Sequence, residues 1–87
     1  MDAKMHGMIL EKITAERERQ ELRHPDRKNT TAEWGEILIE ELGEAASCRL
    51  NREYSEAVTE MIQAAAVIVA WIEDYVHETA ELEHTRE

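Results

Sequence analysis

EWGEILIEELGEAA, residues 33–46, and EAVTEMIQAAAVIVAWIE, residues 56–73, decide how the chain reads. Turning each residue of the first stretch by about 100° places Trp34, Ile37, Leu38, Ala45 and Cys48 on one face of a helix. Glu41 falls in the middle of that face, Glu44 at its edge one turn along, and Glu40 further round. In the second stretch Val58, Ile62, Ala65, Val69, Ile72 and Val76 form one apolar stripe. Glu56, Glu60 and Gln63 form another, continued by Val67 and Trp71. A helix that is polar in its first turns and apolar nearly all round thereafter is expected to be buried on more than one side. The whole sequence holds no Phe, one Pro and three Gly, too little punctuation for a β-rich fold. The fold class is all-α.

Boundaries follow outward from these helices. Thr30-x-x-Glu33 reads as a capping box, so the second helix is expected over 31–50. A short turn through Asn51 to Tyr54 follows, with Ser55 as the expected N-cap of a third helix over 55–77. Upstream, RHPDRKNTT (Arg23 to Thr31) is the clearest loop, with Pro25, Asp26 and Asn29 as breakers. A first helix over 2–22 carries Met5, Ile9 and Ile13 at helical spacing. The polar tail, 78–87, is expected to fray or to extend the third helix weakly. The chain thus reads as one domain, 1–87: three helices, antiparallel where the connection is short, forming a bundle. At 87 residues a lone monomer is marginal, so a homodimer or homotetramer is the expected way to complete the core.

The formal charge of −10 argues against a plain nucleic-acid binder. Its distribution is uneven. Lys4, Lys12, Arg17, Arg19, Arg23, Arg27, Lys28, Arg49 and Arg52 lie early. Between Arg52 and Arg86 there is no Lys or Arg, only Glu53, Glu56, Glu60, Glu73, Asp74, Glu78, Glu81 and Glu83. Such a stretch is either a solvated face or a site for cations. Cys48 stands alone, which fits a reducing compartment. MDAKMHGMILEK lacks the apolar run of a signal peptide. The longest apolar run, Ala64 to Ile72, is about half the length that spans a bilayer. A cytoplasmic protein without membrane association or direct nucleic-acid binding is expected.

A carboxylate within an apolar stripe is costly unless it is paired, protonated or bound to a metal. For Glu41 a salt bridge to Arg49 or to a base of the first helix and a role as metal ligand stand as alternatives. Antiparallel packing of the second and third helices brings Glu41 and Glu44 towards Glu60. Carboxylates facing one another repel, and a hard cation relieves the repulsion. All-oxygen ligands suit Mg²⁺ or Mn²⁺, not zinc. A di-iron bundle would need histidines where Glu44 and Gln63 stand. Glu81-x-x-His84 has that spacing but lies in the polar tail. His6, His24 and His77 show no ligand spacing, and His77 pairs most simply with Glu73 one turn back. Gly35 and Gly43 reflect close helix packing, or room for a ligand beside Glu44. Trp34 and Trp71 read as core residues.

Trp34 to Glu73, nearly half the chain, resembles the MazG-like nucleotide pyrophosphohydrolases of the all-α NTP pyrophosphatase superfamily. Glu41-Leu-Gly-Glu44 matches the first half of their Glu-x-x-Glu, Glu-x-x-Asp signature, and Glu60 opens the second. Gln63 stands where Asp is expected; its amide oxygen can coordinate Mg²⁺ but brings no charge. The resemblance implies Mg²⁺-dependent (Mn²⁺ also fitting) hydrolysis of a (d)NTP to the monophosphate and pyrophosphate. It makes Glu41, Glu44, Glu60 and Gln63 metal ligands, and Glu40 and Glu56 candidates to orient or deprotonate water. Arg17, Arg19, Arg27, Lys28 and Arg49 are the cations available to the phosphates. The family core has four helices, so the missing one is either supplied by a partner subunit or absent. A non-catalytic nucleotide-binding relative and an acidic helical interaction module are the alternatives.

Overall fold

Local signals set the ends of each helix. A computed structural model describes residues 1–25 and 27–86, with side-chain surroundings for all of these except 81 and 83–86. It contains three helices: α1 (Ala3–Arg23), α2 (Thr31–Leu50) and α3 (Tyr54–Arg86). Asp2 caps α1 by accepting from the Met5 backbone N–H at 3.0 Å. At the start of α2 the expected capping box forms in both directions. The Glu33 N–H donates to the Thr30 hydroxyl at 3.2 Å, and the Thr30 N–H donates to the Glu33 carboxylate at 2.9 Å.

The turn between α2 and α3 reverses the chain in three residues. The Glu53 N–H donates to the Cys48 carbonyl at 2.8 Å and the Arg52 N–H to that of Arg49 at 3.0 Å. This is the paired closure of a Schellman motif. It places Arg52 at φ 61°, a left-handed position usually given to Gly. The Ala57 N–H then donates to the Glu53 carbonyl at 2.9 Å, so α3 starts before Ser55. Ser55 therefore does not cap the helix; its hydroxyl donates to Glu56 at 3.0 Å. At the other end α3 continues past His77 to Arg86. No Gly or Pro lies anywhere in that stretch to stop it. Glu81 and His84 fall among the side chains outside the description.

Helix α3 is the spine, with α1 and α2 both packed against it. The α2–α3 pairing is antiparallel: Trp34 reaches Asp74, Gly35 faces Trp71, and Glu41 lies beside Gln63. On α1, Arg17 reaches Glu73 and Gln20 reaches the Gln63 carbonyl. The buried residues are mostly small: Ala45, Ala57, Ala64, Ala66, Val67 and Ala70, closed over by Trp34. Ile37, Leu38 and Trp71 pack against the Trp34–Val67–Ala70 cluster. The face expected for α2 is the buried one.

Of the two α3 stripes expected to be buried, the Gln63–Val67–Trp71 side faces inward, while in the other Val58, Ile72 and Val76 are exposed and Ile62, Ala65 and Val69 are half-buried. On α1, Met5 and Ile9 are also exposed and Ile13 is half-buried. By length and composition alone, Tyr54–Ala80 is apolar enough to cross a membrane, more than the short run Ala64–Ile72 suggested.

Candidate metal centre and adjoining groove

Two turns of α2 and one position of α3 build the acidic cluster. Glu41 and Glu44 are three residues apart and so share a helix face. The reversal at Arg52 folds Glu60 of α3 back onto that face. Carboxylate oxygens of Glu41, Glu44 and Glu60 all lie within 4.8 Å of one another. Glu41 and Glu60 are half-buried and Glu44 is exposed. Among the described residues no ion pair reaches any of the three. Burial pushes the Glu41 carboxyl above the usual glutamate range, with Glu44, Glu40 and Glu16 adding repulsion while the Glu60 carboxyl offsets part of it. Glu44 is raised as well, by its hydrogen bond and charge contact with Glu60. The salt-bridge alternative for Glu41 thus finds no partner among the described residues.

Gln63 stands one turn beyond Glu60 and closes the cluster on the α1 side. In the amide orientation that satisfies its neighbours, its nitrogen donates to Glu60 Oε2 at 3.0 Å and Glu41 Oε2 at 3.1 Å. The amide thus holds two like charges in place. Rotating it would turn the oxygen inward as a fourth ligand.

Glu41 and Gln63 also line a groove of about 280 Å³ floored by Val67, Ala70 and Asp74 of α3. Trp34 and Ile37 form its α2 wall. The α1 wall and the following loop supply Glu16, Arg17, Arg19, Arg23, His24 and Arg27. Arg17 is held by Glu73 at 2.7 Å and Glu21 at 2.8 Å. Arg19 grips Glu16 with two bonds, at 2.8 and 2.7 Å, and this pairing holds the Glu16 carboxyl below its usual range. The Arg27 guanidinium sits 5.9 Å from the centre of the Trp34 ring, within cation–π range. Trp34 Nε1 donates to Asp74 Oδ2 at 2.9 Å, which fixes the indole plane.

The structure therefore brings together Glu41, Glu44, Glu60 and Gln63, and places Arg17, Arg19 and Arg27 along the adjoining groove. Lys28 is exposed and not part of it. Arg49 lies elsewhere, in a shallow hollow with Leu50, Arg52 and Tyr54. Glu40 and Glu56 are exposed and outside both the three-carboxylate cluster and the groove lining. Glu16, Arg23 and Asp74 line the groove without having been singled out as site residues, because periodicity within one helix does not say which faces of two others it meets. Neither glycine is required by packing. A Cβ on Gly43 would meet nothing within 4 Å, and one on Gly35 would make an ordinary 3.8 Å contact with Trp71.

Cys48 lies one turn beyond Glu44. Burial, then the charges of Glu53, Glu60, Glu56 and Glu44, push its thiol up and keep it protonated.

No family model, curated protein or solved structure matches the chain.

Proposed function

We propose that Glu41, Glu44 and Glu60 bind a divalent cation, Mg²⁺ or Mn²⁺, and that the adjoining groove receives a nucleoside triphosphate for hydrolysis to the monophosphate and pyrophosphate. One observation carries the reading: three carboxylates converge with no described cation between them, at one end of a groove walled by arginines. Carboxylate-only ligation suits a hard cation that keeps some of its waters and shares its remaining positions with phosphate oxygens. The cation would polarise the phosphates and lower the pKa of a bound water.

The chain's own residues have separable tasks. Glu41, Glu44 and Glu60 supply the negative charge that fixes the cation. Arg23 and Arg27 offset phosphate charge from the α1 side, and Arg27 is oriented by the Trp34 face. Arg17 and Arg19 are already tied to carboxylates and act chiefly by shaping the wall. Glu40 and Glu56 remain the candidates to orient or deprotonate water, each from just outside the cluster.

Gln63 favours a second reading, a nucleotide binder without turnover. It donates hydrogen bonds to two of the ligands, where a carboxylate would add charge to the centre. The deciding experiment incubates the protein with a nucleotide panel and Mg²⁺ and looks for monophosphate plus pyrophosphate. Turnover supports the hydrolase. A Mg²⁺-dependent rise in melting temperature with one nucleotide and no turnover selects the binder. Absence of both overturns the nucleotide reading. Glu60→Gln should abolish the cation-dependent rise while the helical content stays unchanged; an unaltered affinity for Mg²⁺ would remove the cluster from consideration.

A further inference from the structure

The groove runs well past the carboxylate cluster. Its floor follows one face of α3 through Gln63, Val67, Ala70 and Asp74. Gln63 sits beside the cluster, and Asp74 lies eleven residues further on, about 16 Å along the helix axis. Three linked phosphates that start at the cluster stop short of Asp74. The far end of the groove therefore meets what the phosphates carry.

Four carboxylates line the groove, those of Glu16, Glu21, Glu41 and Asp74. Arg19 holds Glu16, Arg17 holds Glu21, and Glu41 belongs to the cluster. Among the described residues Asp74 is the one of the four that neither pairs with a cation nor joins the cluster. Its neighbour Glu73 takes Arg17 instead. Asp74 Oδ2 accepts from Trp34 Nε1 at 2.9 Å, and the indole is itself buried, so the carboxylate is held in one orientation. No described residue donates to its Oδ1. Ile37, Val67 and Ala70, which line the groove between its two ends, carry no polar side chain to compete. A fixed carboxylate repels phosphate and takes hydrogen-bond donors. Arg27, 5.9 Å from the centre of the Trp34 ring, stands at the same end and offsets the repulsion of an anionic ligand.

Given the nucleotide reading above, on which this rests, we propose that Asp74 reads the base and selects guanine. Uracil and thymine flank their ring N–H with two carbonyls, which a carboxylate repels. Adenine and cytosine set an amino group beside a bare ring nitrogen, a donor next to an acceptor. Guanine sets its ring N–H beside its amino group, two parallel donors that match the two oxygens of a carboxylate. Oδ1 accepts one of them, and Oδ2 accepts the other on the lone pair that Trp34 leaves free.

Titration calorimetry in Mg²⁺ with α,β-methylene triphosphates of guanosine, inosine, xanthosine and uridine tests this. Guanosine should bind tightest, and inosine, which lacks the amino group, should bind roughly 10-fold more weakly or worse. Asp74→Asn keeps an acceptor for Trp34 but turns an amide NH₂ into the groove. It should reverse the ranking in favour of xanthosine, which has a carbonyl in place of the amino group. A loss of folding alone could not produce that reversal. Should the variant lose its helical circular dichroism, the comparison of guanosine with inosine on the unaltered chain still decides. Equal affinity for those two, or an Asp74→Asn chain that weakens every nucleotide by the same factor, would overturn the role of Asp74 and leave the nucleotide reading standing. Binding of no nucleotide at all would overturn both.

Discussion

The two flanks of α3 invert the usual order of size. The covered flank holds Ala57, Ala64, Ala66, Val67 and Ala70, while the uncovered one holds Val58, Met61, Ile68, Ile72, Tyr75 and Val76. Small residues let α1 and α2 approach α3 closely, so the groove and the carboxylate cluster sit on a tightly drawn frame. The large side chains that would supply most of the apolar burial face outward. A site can thus be built before the core is finished, and the stability of the first depends on whatever completes the second.

This contrast can be broken from the inside. Trp34 is the largest buried side chain of the inner flank among the described residues, 6% exposed and bonded to Asp74. Trp34→Ala should cost about 3–5 kcal/mol, comparable with the whole stability of so small a domain. Urea titration should show little or no folded baseline; a loss below about 1 kcal/mol would mean that the outer flank alone sustains the fold.

A smaller effect sharpens the same point. Ala66 is fully covered, at 0% exposure, so Ala66→Leu should overpack α3 and cost about 1–3 kcal/mol. The same kind of enlargement at Ala65, which belongs to the outer flank, should cost distinctly less. Equal losses at both positions in denaturant titrations would abolish the distinction between the flanks.

The smallest effect is expected from protons at the acidic end of the inner flank. Glu41 and Glu44 are raised above the usual glutamate value in the folded chain. Their contribution to stability is therefore full below that usual value and is lost as pH rises through the raised ones. Melting temperature should climb on acidification from neutrality towards the ordinary glutamate value. Below that value Glu16 and Glu33, both lowered, are protonated in turn and the stability they contribute is lost. A thermal-melt series should show a maximum in weak acid. A monotonic fall from neutrality would contradict the clustered carboxylates.

Much of the covered flank was legible because α2 is amphipathic in only one direction. The capping box fixed its start, and the Trp34–Ala45 face with Glu41 in its midst is the face the structure buries. Glu60 could be brought to Glu41 and Glu44 from the shortness of the turn alone. Helix α3 was harder, since it carries two apolar stripes and periodicity cannot say which one its neighbours cover. Residues 78–86 read as a weak tail because their pattern is polar, yet nothing in them breaks a helix already under way. Ser55 has a capping side chain, but the Schellman closure at Glu53 starts α3 earlier. The arginine wall was half legible: the cations were visible, but which of them face α2 depends on how α1 lies against α3.

Cys48 turns the neighbouring charges into a reaction rate. Only the thiolate is alkylated, and the carboxylates around Cys48 hold the proton on. A divalent cation seated among Glu41, Glu44 and Glu60 would neutralise part of that field. The sole thiol of the chain should then react faster with iodoacetamide in Mg²⁺ than in its absence, so ordinary alkylation kinetics become a titration of the metal centre.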